Sequence, residues 1–165
     1  MAKETQTGDM AAAARRFYRL AAGVEVAAFT VQKQVALDTQ YMLARETPVD
    51  VGTARSNWRI SIGRPLRGRI RAYHPYPSRH RKPYGPGGSK FERANLSAVL
   101  NQGISRLASY TKGSIYISNT VPYIGPLDRG HSPQANPGFV ARAILAASIR
   151  VKPKIKPIFR RELSK

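Results

Sequence analysis

The chain has 165 residues, no cysteine, and 28 Lys or Arg against nine Asp or Glu, for a formal charge of +19. The length suits one domain with its own core, and the absence of cysteine excludes a disulfide scaffold, thiol catalysis and thiolate metal sites. No apolar run approaches the roughly 18 residues of a membrane span, and residues 1–17 lack the apolar core of a secretion signal, so synthesis in a cytoplasm and no membrane partner are expected.

The charge is unevenly placed. Residues 1–50 hold six bases and six acids, whereas residues 51–165 hold 22 bases and three acids, so the whole excess lies there. Self-repulsion on that scale works against a compact state. It favours an acidic partner, either nucleic acid or an acidic protein surface, over a merely solvated basic surface that aids solubility.

Residues 1–8 are polar and predicted to be disordered, with Asp9 as a helix N-cap. From Met10 to Arg45 there is no proline. Phe17, Leu20, Val24, Ala27, Val31, Val35 and Met42 fall on one helical face. Such a helix is about 54 Å long, with Gly23 its weak point. It overhangs a small domain, so part of its stripe is expected to meet another subunit, although packing on its own sheet is the commoner fate of such a face. Thr47-Pro48 stops it, and Asp50 is placed to cap a short turn through Arg55. Residues 56–62 alternate, with Trp58, Ile60 and Ile62 on one side, and read as a half-buried strand with Trp58 as core anchor.

Residues 63–90 carry eight Lys or Arg, five Pro and no acid. Residues 67–73 are predicted to return as a second strand, placing Arg67, Arg69 and Arg71 on one face. Residues 74–89 read as an exposed basic loop in which Tyr76 and Tyr84 interleave with Arg79, Arg81 and Lys82. A helix is predicted over residues 91–110, its apolar side formed by Phe91, Ala94, Ala98, Val99 and Leu100 with Ile104 or Leu107.

Residues 113–140 organise the chain. Ile115, Tyr116 and Ile117 are strand formers, and Asn119 to Pro122 is a turn. Gly125, Pro126, Gly130, Pro133, Pro137 and Gly138 then shape a loop. From Phe139 a helix is predicted to Val151, burying Phe139, Ala143, Ile144 and Ala147. Residues 150–165 hold seven bases and one acid. Pro153 and Pro157 are predicted to prevent a long helix there, leaving an edge strand or basic arm. The fold class is α+β in one domain, residues 1–165. A long N-terminal and a C-terminal helix pack on a small, mostly antiparallel sheet, with a basic Pro/Gly-rich insertion.

Two stretches carry a resemblance. The first is Thr47-Pro48-Val49-Asp50-Val51-Gly52, followed by Arg55, Asn57 and Trp58. The second joins Ile117-Ser118-Asn119, Pro122-Tyr123, Gly130, Ser132-Pro133-Gln134-Ala135, Pro137 and Gly138-Phe139. Together they resemble the neck, tail-completion or minor tail protein Z-like family of tailed bacteriophages. Thr120, Asp128 and Asn136 depart from that pattern. The resemblance implies a structural virion protein, made in the host cytoplasm, at the head–tail junction. It implies a six- or twelve-fold homo-oligomeric ring around the path of the genome. Its partners would be copies of itself, neighbouring connector and tail proteins, and the packaged DNA. The hallmark or interface positions are Asp50, Gly52, Arg55, Trp58, Asn119, Pro122, Tyr123, Gly130, Gln134, Pro137, Gly138 and Phe139. Gly130 and Gly138 are expected at positive φ or in tight backbone approach, with residues 119–138 folded against residues 47–58.

Catalysis is not expected, nor a cofactor or metal. His74, His80 and His131 lack metal-ligand spacing. Residues 84–90 lack the order of a phosphate loop, and no nucleophile elbow occurs. The alternative function is nonspecific nucleic-acid binding. Its contacts would be Arg67, Arg69, Arg71, Arg79, Arg81, Lys82, Lys152, Lys154, Lys156, Arg160 and Arg161, which could equally meet an acidic protein.

Overall fold

The computed structural model describes residues 3–74, 90–133 and 136–165. In chain order the elements are α1 (Lys3–Glu46), α2 (Thr53–Ser56), β1 (Arg59–Ile62), α3 (Lys90–Ala108), β2 (Ile115–Ser118), α4 (Ile124–Asp128) and α5 (Phe139–Leu163). The fold is α+β, with two long helices beside a two-stranded antiparallel sheet. The helix expected from Met10 already begins at Lys3, so Asp9 lies inside it rather than capping it.

α1 and α5 run antiparallel. Phe139 and Ala143, at the start of α5, pack with Met42, Leu43 and Ala44 near the end of α1. Midway, Asp38 accepts Lys154 Nζ at 2.6 Å and lies 3.5 Å from Arg150 Nε. At the far end, a Cβ added to Gly23 would lie 3.1 Å from the carbonyl oxygen of Glu162. Gly23 is thus a site of close helix approach.

α5 runs straight past Val151, through both prolines, contrary to the predicted strand or arm. Each interior proline removes one helical hydrogen bond and costs about 3 kcal/mol. Two features offset that cost. Ile149 and Pro153, whose carbonyls lose their donors, are exposed, so water can reach the freed groups. Arg150 and Lys154 stand on either side of Pro153 and hold the same carboxylate. Ala143, Ala147 and Val151 continue the buried seam of Phe139 at four-residue intervals. Ile144, expected inside, is 51% exposed, since it lies off that seam.

The sheet is small. β1 and β2 pair from Arg59↔Ser118 to Ile62↔Ile115, and Gly63 N donates to Ser114 O at 2.9 Å. Arg59, Ser61 and Gly63 therefore face β2, and Ile60 turns its peptide groups away. Gln102 of α3 closes that edge, accepting from Ile60 N at 3.1 Å and donating to Ile60 O at 3.0 Å. Residues 67–73 form no strand, because Gly68 sits at φ 80°. They are held by side chains instead. Asn57 accepts from Ile70 N and donates to Ile70 O, both at 2.9 Å, and Ser56 Oγ accepts from Tyr73 N at 3.1 Å. Asn57 and Ser61, expected on a solvated face, are consequently buried. The loop expected at residues 74–89 lies outside the described residues beyond His74.

Gln40 joins three elements at the centre. Fully buried on α1, its Nε2 lies 2.9 Å from Trp58 O, 3.1 Å from Val99 O of α3 and 3.1 Å from Gln102 Oε1. A Cβ at Gly103 would fall 2.0 Å from Gln40 Oε1 and 3.1 Å from Ile60 Cδ1. Gln40 cannot retreat without surrendering these bonds. Gly103→Ala is therefore expected to destabilise the fold by about 1–3 kcal/mol, read as a lower urea midpoint.

Asp38 makes stability depend on pH. Burial pushes its carboxyl up, but hydrogen bonds from Lys154 and Gln34 and the charges of Lys154 and Arg150 outweigh this and hold it below its ordinary value. A depressed native pKa gives a contribution that is complete above the unfolded value and lost as pH falls through the native one. Urea titrations should show the advantage of the wild type over Asp38→Asn shrinking as pH drops below about 4. An advantage constant across that range would contradict the assignment.

Candidate functional site

The two motif stretches meet in space. α1 ends at Glu46, and Thr47 Oγ1 donates to Leu43 O at 2.6 Å while accepting Trp58 Nε1 at 2.7 Å. That bond satisfies the indole N–H of the buried Trp58 and fixes the turn between helix and strand. Gly52, at φ 82°, is the N-cap of α2. The cap predicted for Asp50 is not formed: Asp50 is exposed, and α2 has no side-chain cap. A left-handed glycine turns the chain there without one.

From the other stretch, Asn119 Nδ2 donates to Ala54 O at 2.8 Å, and its Oδ1 accepts from Val121 N at 3.1 Å. One amide both builds its own turn and ties that turn to α2. Val121 is buried behind it, while Pro122 and Tyr123 face outward. A groove of about 200 Å³ separates the two stretches, lined by Pro48, Asp50, Gly52, Tyr123, Leu127 and Ser132 among others. Arg55 is buried and gives Nη2 to Glu92 Oε1 at 2.9 Å, tying α2 to α3.

The loop closes on Asp128. Its backbone oxygen accepts Gly138 N at 2.6 Å, and its Oδ1 accepts Val140 N at 2.8 Å. Asp128 thereby caps the start of α5 from twelve residues before Val140, where a carboxylate suits the helix dipole. Gly130 and Gly138 both have positive φ, 91° and 76°, in agreement with expectation. Phe139 then enters the core fully buried. Gln134 lies outside the described residues.

The proposed cationic contacts divide. Arg67, Arg69 and Arg71 are exposed, beside a groove of about 690 Å³ that Arg69 and Arg71 line with Tyr123. They do not share a strand face, because no strand forms. On α5, Lys152, Lys156 and Arg160 are exposed, and Lys156, Arg160 and Arg161 line a further groove of about 500 Å³. Lys154 is taken by Asp38, and Arg161 pairs with Glu162 at 2.9 Å. Arg79, Arg81 and Lys82 lie outside the described residues.

Among the described residues no group of His, Cys, Asp and Glu is placed to hold a metal ion. No described helix is long and apolar enough to cross a membrane. Sequence reasoning missed Asp128 as a cap and Gln40, Asn57 and Gln102 as buried amide ties. A lone amide on an otherwise apolar face was the only available signal. Comparison of the chain with protein-family models, curated proteins and solved structures found no match.

The loop geometry ranks two glycine substitutions. At Gly138 a Cβ has room, so Gly138→Ala carries only the left-handed backbone cost, about 1–2 kcal/mol. At Gly130 a Cβ would also strike the Pro137 ring at 2.6 Å. Gly130→Ala is therefore expected to lower the urea midpoint more than Gly138→Ala.

Proposed function

We propose that this chain is a structural subunit of a tailed-bacteriophage head–tail junction, forming a ring of neck or tail-completion type around the genome path. The observation that carries this is the joining of the two motif stretches. They are 70 residues apart in sequence, counting from Gly52 to Pro122, yet interlock through Asn119 and Ala54 with a shared groove. A six- or twelve-fold ring follows from the resemblance, and symmetric closure is the usual fate of such contacts. The long α1, exposed along residues 10–22, supplies surface for neighbours.

A second reading, a nonspecific nucleic-acid binder, is favoured by the exposed bases on two surfaces, Arg67 to Arg71 and Lys152 to Arg160. Duplex DNA and RNA binding across a salt series separates the two. A ring subunit binds weakly as a monomer, and its affinity rises sharply on assembly as many weak contacts add. Micromolar or tighter RNA binding by the monomer in low salt, with a steep salt slope, would overturn the ring proposal in favour of the nucleic-acid module.

A further inference from the structure

α1 carries a second pattern that its own fold does not use. Met10, Ala14, Phe17, Ala21, Val24, Ala28, Val31 and Val35 succeed one another at alternating steps of four and three. This is the seven-residue repeat of a coiled-coil seam, with Ala14, Ala21, Ala28 and Val35 at a and Met10, Phe17, Val24 and Val31 at d. Met10, Phe17, Val24 and Val35 on this seam are exposed, Phe17 at 71%. Up to Val35 the contact with α5 lies to one side, where Gly23, a c position, meets Glu162 and Ala27, a g position, is fully buried; the seam ends at the next d position, Asp38, which α5 takes up.

The flanking positions make the pattern more specific. Between residues 10 and 24, the e positions are Ala11 and Tyr18 and the g positions are Ala13 and Leu20. Arg15, Arg16 and Arg19, the only charges in that stretch, occupy b, c and f, farthest from the seam. A two-stranded coil leaves e and g in water, where charged residues are usual. Apolar residues on both flanks give the helix two sides to cover, one for each of two neighbours.

We propose that residues 10–24 of α1 assemble with the same segment of other copies into a parallel bundle of more than two helices, the g side of each copy against the e side of the next. This deepens the ring proposal and rests on it. The occupant is a second copy because the seam repeats in phase with itself and, between residues 10 and 24, carries its charge only on the outer face. The helices are parallel because closure about one axis orients all copies alike. Repeated g-to-e contact is head-to-tail, and such contact either closes into a ring or propagates.

The chain has no cysteine, so introduced pairs report cleanly. The full chain carrying Ala13→Cys and Tyr18→Cys, a g and an e position, is oxidised and its products sized under denaturing conditions. A ladder of crosslinked species beyond the dimer is expected, with little from the outer-face pair Arg15→Cys and Arg19→Cys. Phe17→Asp should abolish assembly while leaving the circular dichroism of the folded subunit in place. Products stopping at the dimer would overturn the bundle. Rings of unchanged mass with no ladder, or with Phe17→Asp tolerated, would overturn it and leave the ring proposal standing. A full chain monomeric at every concentration would remove both.

Discussion

The structure depends on a mismatch of length. α1 has 44 residues and α5 has 25, about 66 Å against 38 Å of helix. Pairing from the end of α1 backwards, α5 runs out at Gly23, leaving about 30 Å of α1 beyond it. Isolated helices of that length are marginal in water. The covered part of α1 supplies the nucleus from which the rest continues. Nothing in the chain's described residues buries Phe17 or Tyr18, and the proposed assembly rests on that exposed surface.

Within the domain, side-chain amides do work usually done by strands. Gln102 occupies the free edge of β1, and Asn57 holds Ile70 through both its peptide groups. Gln40 links α1 and α3 to Trp58, the residue just before β1, from a fully buried position. A sheet of two four-residue strands is marginal alone. These bonds, with the apolar packing of Ile60, Ala36, Leu107 and Tyr110, fix its place. The motif loops are then referenced to a rigid frame: Trp58 to Thr47, Asn119 to Ala54, and Asp128 to the start of α5.

Local chemistry made part of this legible. The long helix, its stop at Thr47-Pro48, the pairing segments around Ile60 and Ile117, and the positive-φ glycines follow from periodicity and from proline and glycine chemistry. The C-terminal helix did not, because proline propensity is local while the contacts that hold the helix on α1 are distant: Phe139, Ala143 and Ala147 pack with Met42, Leu43 and Ala44, and Asp38 pairs with Arg150 and Lys154 from 112 and 116 residues away in sequence. Residues 67–73 look like a strand by alternation, yet Gly68 and the claims of Asn57 and Ser56 on their backbone leave them irregular. Of the candidate site, the turn residues were readable and Asp128 was not, since a cap reaching twelve residues forward to Val140 has no short-range signature.

The uncovered part of α1 is the proposed assembly element. Native mass spectrometry of the full chain beside a chain beginning at Gly23 tests it most directly. The full chain should give one closed assembly of defined mass, and the shortened chain a folded monomer. A shortened chain that assembles to the same copy number, or a full chain that stays monomeric at tens of micromolar, would contradict it.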